Sequence, residues 1–499
     1  MSRERGPVAV VDIGSNSGRV VVYAVDAERR LRILATTRAP LRLVESVDDA
    51  SELGAAAVSR LIEALSDFRA VAVGAGARRT VAIATAAMRD AANGPELIAR
   101  IRRELGIEVQ LIDGATEARY GFLGAIHSLP VDRGLLFDMG GGSLQLSQFL
   151  RRRPGQSWSL PLGSLRLTHR FLLSDPPTPS ELRRLREHAQ EVLSGARIPR
   201  LLEEDTLVGT GGTLRNLAKI DARARAYPIE RVHGYTLARK RIRDLGRMLS
   251  ERRVRRRESV PGLSDARADS VVGGAVAIEA LMEEAGTSRV VVSGDGVREG
   301  LAYSLLAPGL PPAAEVREES VASLTARFAD WNPETAARRR EASSVLQRTL
   351  DRGTPPDVRE ALLHSARLLD IGRSIDFFDR YHHVAGMVVA TDLNGFSHRD
   401  MALMSAVLRV AGGETGAWKT LSPLLKEKDR TAVIRAGVIL SLADEIVERC
   451  RPGVPLRLSV RVREREVVIA APAVVAWRPR RIAERFQQTF GRQLIVRPG

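Results

Sequence analysis

The 499-residue chain has a single cysteine, Cys450, which rules out an intramolecular disulfide or a thiolate metal cluster and argues against redox chemistry. Aromatic residues make up only 4% of it, too few for the stacking platforms that hold single-stranded nucleic acid. No stretch approaches the ~20 continuous apolar residues of a membrane span. The opening "MSRERGPVAV" enters a strand-like run without the apolar core of a signal peptide. The expectation is a soluble, cytoplasmic protein with no membrane partner. Lysine is also scarce, supplying five of the 76 basic residues. The net charge is nevertheless +16, which calls for a polyanionic partner, and the shortage of aromatics turns that choice from nucleic acid toward a long phosphate chain. Arginine runs at Arg151 to Arg153, around Arg252 to Arg257 and at Arg338 to Arg340 read as solvated faces.

A hydrophobic content of 44% is ample for several cores and suggests three or four domains. Local chemistry concentrates in glycine turns. In "FDMGGGSLQLS", an apolar run ends at Asp138, turns through Gly140, Gly141, Gly142 and Ser143, and returns as a second strand. Without Cβ atoms such a turn can aim its N–H groups at an anion, although an ordinary glycine-rich hairpin reads the same way. "VAVVDIGSNSGRVVVYAV" repeats the plan, with Asp12 followed by Gly14, Ser15, Asn16 and Ser17. Two such units, one opening each half of the first ~300 residues, suggest a duplicated domain with turns facing across a cleft. There they could grip phosphates from both sides while Asp12 and Asp138 share a divalent cation. A third cluster, "TLVGTGGTLRNLAKI", leads through Gly211 and Gly212 into a helix starting near Thr213, whose free N–H groups would add to anion binding.

In this order the segments resemble the exopolyphosphatase/guanosine-pentaphosphate phosphohydrolase (Ppx/GppA) family, a branch of the sugar kinase, heat-shock-chaperone and actin superfold. The resemblance spans nearly the whole chain and also rests on "ATAAMRDAANGPELIARI", "LIDGATEARYGFLGA", "PLGSLRLTHRFL", "RVHGYTL", "RADSVVGGAVAIEAL" and "SGDGVREGLAYSLL". It implies an α/β fold of duplicated actin-like ATPase-type domains and release of terminal orthophosphate from inorganic polyphosphate, assisted by Mg2+ or another divalent cation. Guanosine pentaphosphate is the alternative substrate. By the same resemblance Glu117 occupies the position of the catalytic base, while Arg19, Arg89 and Arg298 match phosphate-binding positions. Read alone, Glu117 could simply open the helix "TEARYGFLGAIHSL" with Thr116 as cap. One departure matters: the family carries a metal-binding glutamate where this chain has Gln145. Glutamine can still offer an oxygen but brings no charge, so a non-catalytic polyphosphate or nucleotide sensor is a further reading.

The expected organisation is an actin-like domain I over residues 1–125 and domain II over 126–306, then a Pro-rich linker, "APGLPPAAE". Helical periodicity over 316–452 and a small α+β cap over 453–499 complete the chain. In "SDPPTPSELRRLREHAQEVLSGA" a helix capped by Ser180 is expected. The helical part resembles the HD-type domain that longer family members append. However, Leu369 precedes Asp370 where a metal-binding pair needs histidine, leaving His364, His382 and His383. This domain is expected to extend the polyanion groove or to mediate homodimerisation.

Overall fold

The computed structural model describes residues 6–43, 52–414, 416–451, 454–471, 474–475 and 479–497. The chain divides into two compact units, Met1–Glu319 and Ser320–Gly499.

Unit 1 holds two sheets built on one plan. The first comprises β1 (Val8–Ile13), β2 (Ser17–Val25), β3 (Leu31–Pro40), β4 (Arg79–Ala84) and β5 (Val109–Leu111), in the order β3-β2-β1-β4-β5. The second comprises β6 (Arg133–Met139), β7 (Leu144–Leu150), β8 (Arg153–Leu160), β9 (Thr206–Thr210), β10 (Thr236–Ala238) and β11 (Arg289–Val292), ordered β10-β11-β9-β6-β7-β8. In each sheet an antiparallel three-strand meander joins parallel strands through its first member, β1 or β6. Those two strands, VAVVDI and RGLLFDM, are central and buried on both faces, which explains their nearly continuous apolar runs. The duplication is therefore one of topology as well as of motif.

Two helices join the sheets. Helix Gly114–His127 packs Phe122, Ala125 and Ile126 against Leu136, Phe149 and Val208 of the second sheet. Helix Val297–Leu306, from the far end of the unit, packs Leu301, Ala302 and Leu306 against Val8, Val10 and Ile83 of the first. The expected domain boundary at 125/126 falls within helix Gly114–His127. The two helices cross at glycines, where backbone meets backbone. A Cβ on Gly300 would stand 1.8 Å from the Tyr120 carbonyl oxygen, and one on Gly124 would stand 2.0 Å from that of Gly296.

Two helix starts differ from the sequence expectation. Thr178, not Ser180, caps helix Pro179–Gly195; it accepts from Glu181 N–H while Glu181 accepts from Thr178 N–H, and Pro179 takes the first helical position, where no amide donor is needed. Asp113 rather than Thr116 caps helix Gly114–His127, accepting from Thr116 N–H at 2.8 Å.

Unit 2 carries helices Pro333–Leu350, Pro356–Leu368, Arg380–Ala390, His398–Ala411 and Arg430–Val447. A hairpin of β12 (Ser459–Val462) and β13 (Glu466–Ala470) follows, then helix Arg480–Phe490 and β14 (Gln493–Arg497), which pairs parallel to β13. The expected boundary at 452/453 lies outside the described residues. At the centre of the helices Arg339, with no exposed surface, donates from Nη2 to both oxygens of Asp370 at 3.0 Å and from Nε to Asp444 Oδ1 at 2.7 Å. Arg380 and the Tyr381 hydroxyl donate to the other Asp444 oxygen at 2.6 and 2.5 Å. Asp370 is thus neutralised by a guanidinium. His364 lies edge-on to Phe396, and His382 faces Glu414 at 3.5 Å. Among the described residues no group of three or more acidic, histidine or cysteine side chains is placed to hold a metal ion.

Two substitutions test these constraints by urea unfolding. Gly300→Ala must push the crossing helices apart and is expected to lower stability by about 1–3 kcal/mol, the usual range for overpacking. Arg339→Ala removes the buried guanidinium that bridges Asp370 and Asp444, leaving Asp370 to Arg373 and Asp444 to Arg380, and is expected to cost about 3–5 kcal/mol.

Candidate active site

The turns after β1 and β6 have the same form. Gly14 N–H bonds the Ser17 carbonyl at 3.2 Å, and Gly140 N–H bonds the Ser143 carbonyl at 3.0 Å. Each turn is fixed through its carbonyls. Ser15 and Asn16 accept from Leu41, Arg42 and Leu43 N–H, while Gly140 and Gly141 accept from Ser164, Leu165 and Arg166 N–H. Arg166 Nε also reaches the Gly142 carbonyl at 2.8 Å. Spending the carbonyls on the flanking chain orients the turn and leaves its remaining N–H groups for another partner. The two turns lie against each other: a Cβ on Gly141 or Gly142 would come within 3.3 Å of the Ser15 side chain. Gly163 shows how close the backbone approaches, since a Cβ there would meet Gly142 C at 2.2 Å.

The strand register sets the acids. Asp12 on β1 pairs across from Arg19 on β2, and Asp138 on β6 pairs across from Gln145 on β7, so the two repeats carry arginine and glutamine at equivalent places. Glu117 enters from helix Gly114–His127, where its carboxylate Oε2 accepts from Gln145 Nε2 at 3.2 Å. The same Nε2 donates to Ser143 Oγ at 2.6 Å, and Gln145 Oε1 is buried with no hydrogen-bond partner.

Burial governs the charges. It pushes the Glu117 carboxyl up to about 8, helped by repulsion from Asp138 and Asp12 and opposed by Arg89. It raises Asp138 to about 6 against the pull of Arg215, and Asp12 rises as well despite Arg298. Arg298 donates to Asp12 at 3.1 Å, and Glu299 beneath it is held by the Tyr23 hydroxyl at 2.7 Å and Gly296 N–H at 2.8 Å. Burial and neighbouring cations depress Arg19 and Arg215.

Most of the sequence-derived candidates border this centre. Arg89 affects the Glu117 charge while donating to the Ile112 carbonyl at 2.8 Å. Gly211, at φ +100°, stands beside Asp138, where a Cβ would come 2.9 Å from its Oδ1, so a side chain is excluded by both conformation and space. Helix Gly212–Ala224 starts one residue before the expected Thr213. The Thr213 side chain is fully buried against Gly274, and its Oγ1 has no hydrogen-bond partner. Two arginines went unnamed in the sequence reading. Arg215, in the first turn of that helix, donates to the Gly294 carbonyl at 2.7 Å and acts on Asp138. Arg267 lies over Gly212, where a Cβ would meet its Nη2 at 2.6 Å, and its Nη1 is buried without a partner. Asn16 and Asn216 fasten the Arg267 loop through the Ala266 carbonyl and Ser264 N–H. An arginine in the first turn of a glycine-led helix was a usable signal for Arg215; for Arg267 the signal was its place at the head of the segment "RADSVVGGAVAIEAL".

A divalent cation has hard oxygen donors here in Asp138 and, across the strand pair, the unpartnered Gln145 Oε1, with Asp12 on the equivalent strand. These are too few for a cage made by protein alone, but they suit an ion that takes its remaining ligands from phosphate and water.

The family model for the Ppx/GppA phosphatase family matches residues 21–308, and that for Ppx/GppA phosphatase, domain III, matches residues 316–467. The chain is 32% identical over 321 residues to exopolyphosphatase 1 of Mycobacterium tuberculosis, which covers 63% of this chain and 92% of that protein. It is also 32% identical over 300 residues to exopolyphosphatase 1 of Mycobacterium leprae, covering 59% and 88%. Among solved structures, the Aquifex aeolicus Ppx/GppA family member superposes with a TM-score of 0.53 at 29% identity, over 60% of this chain and 97% of that one. An exopolyphosphatase from Cytophaga hutchinsonii gives 0.56 at 25%, again over 60% and 97%. Among the described residues, no helix is long and apolar enough to cross a membrane. With the doubled sheet plan and its paired turns in place, these matches establish that the chain belongs to the Ppx/GppA phosphatase family.

Proposed function

We propose that this protein is an exopolyphosphatase that releases terminal orthophosphate from inorganic polyphosphate. One observation carries the reading: a buried carboxylate with a raised proton affinity, Glu117, sits at the junction of two glycine turns and is oriented by Gln145. A water held by Glu117 attacks the terminal phosphorus and loses its proton to the carboxylate. The bridging P–O bond breaks, and orthophosphate leaves a chain shorter by one residue. The turns supply N–H donors to the terminal phosphoryl group, while Arg298, Arg215, Arg267 and Arg19 offset charge on the equatorial and leaving oxygens. Asp138, Asp12 and Gln145 would hold a divalent cation such as Mg2+, which when bound adds Lewis-acid polarisation. Relatives named exopolyphosphatase and the charge of +16 favour polyphosphate over guanosine pentaphosphate. Phosphate release measured separately from long-chain polyphosphate and from that nucleotide decides between them. Tight binding without turnover under several divalent metals would instead identify a sensor, the reading that Gln145 supports. Unit 2 serves in this scheme to extend the polyanion-binding surface or to join two copies.

Glu117 must be ionised to accept a proton, and its carboxyl is pushed up to about 8, so kcat/KM is expected to fall as pH drops through that value. Glu117→Gln should keep substrate affinity and lower turnover by about 10²–10⁴, the range of general-base catalysis, with the acidic limb of the pH profile lost. An unchanged limb in that variant removes Glu117 from the mechanism.

Gln145→Glu replaces a neutral oxygen beside Asp138 with an anionic one. It is expected to tighten divalent-metal binding by calorimetry and to raise turnover at saturating metal, whereas Asp138→Asn weakens both. If both variants leave metal affinity unaltered, the cation does not bind between β6 and β7.

A further inference from the structure

Unit 2 contains a cavity of about 290 Å³ between helices His398–Ala411, Arg430–Val447 and Arg480–Phe490. Its walls include Val410, Val433, Ile434 and the Trp418 indole, and its polar margin includes Arg430 and Arg485. That volume is near the lower end for small-molecule sites and leaves room for a compact body such as a fused ring pair. Ile434 is 39% exposed although it lies on a helix whose neighbours Val433 and Val438 are almost fully buried, so the cavity presents apolar surface that the fold itself does not cover.

The charge at the margin is unbalanced. Glu414 is the acid there, but both its oxygens are bonded to Arg409 Nη1 at 2.9 Å and it also faces His382 at 3.5 Å. Arg430 meets Glu427 at 3.2 Å, an exposed pair that solvent screens and that contributes little. Arg485 is half-buried and no carboxylate among the described residues pairs with it. It donates from Nη1 to the Ala411 carbonyl at 3.0 Å and from Nη2 to the Val410 carbonyl, capping the end of helix His398–Ala411. Those two bonds use two of the five guanidinium N–H groups, and the helix end supplies only about half a negative charge to set against a full positive one. An apolar wall beside under-neutralised guanidinium groups selects a ligand with an apolar body and one anionic head.

We propose that this cavity binds a small amphipathic carboxylate, its body against Ile434, Val433 and Trp418 and its carboxylate on Arg485 and Arg430. The site lies wholly within unit 2, and the proposal is independent of the reaction assigned to unit 1.

The test is calorimetric titration of the full chain with naphthalene-2-carboxylate and, separately, with the uncharged naphthalene-2-carboxamide. The carboxylate is expected to bind at least about tenfold more tightly than the amide. Ile434→Trp, a substitution at an exposed position that fills the cavity, should weaken both probes by about tenfold or more while leaving thermal unfolding unchanged. Arg485→Met should abolish the preference for the carboxylate. Because that change also removes a helix cap, Arg430→Gln provides a second variant, expected to narrow the preference without disturbing the fold. The proposal is overturned if the two probes bind equally, if neither binds below about millimolar concentration, or if Ile434→Trp binds them as the parent does.

Discussion

The site is built around carboxylates crowded into a space that favours none of them as an anion. Asp12, Asp138 and Glu117 are all driven toward their protonated forms by burial, and each is raised further by another acid nearby. Arg298 and Arg215 oppose this, yet both are buried themselves and press on each other. A balance of this kind is held open only by a rigid frame. Two central strands each carrying an acid one residue before the end, two turns pinned through their carbonyls and two helices crossing at glycines provide it. The arginines of this frame are cations that an arriving anion would offset, so the frame is prepared for a ligand more than for its own comfort.

The doubled plan could be read in the sequence because both copies keep an acid at the end of an apolar run and small residues after it. What could not be read was contact between distant segments. Arg267 faces the site only because its loop is stapled by Asn16 and Asn216, neither of which is near it in sequence. The swap of helices Gly114–His127 and Val297–Leu306 between sheets was equally hidden, since each is an ordinary apolar helix until the partner sheet is known. Helix starts failed at the scale of one to three residues. Ser180 and Thr116 are good capping residue types, but Thr178 precedes a proline suited to the first turn and Asp113 precedes a glycine, and the backbone chose those.

Gln145 shows what a near-isosteric exchange does inside such a network. Its amide gives Glu117 and Ser143 a donor where a glutamate would give them a competing anion, so Glu117 is oriented by a hydrogen bond that does not depend on an ion being present. The price is one carboxylate fewer for a cation. Arg19 stands at the equivalent place in the other repeat, so the two hairpins have diverged into one that carries a fixed cation and one that keeps a neutral oxygen.

The guanidinium between Asp370 and Asp444 has a consequence of another kind. A divalent ion in a two-carboxylate pocket comes and goes with its concentration, yields to chelators and competes with protons. Arg339 does none of these, because it is tethered by its own backbone and stays charged to pH values above about 12. The charge of the Asp370–Asp444 pair in unit 2 is therefore balanced whatever the metal supply of its surroundings.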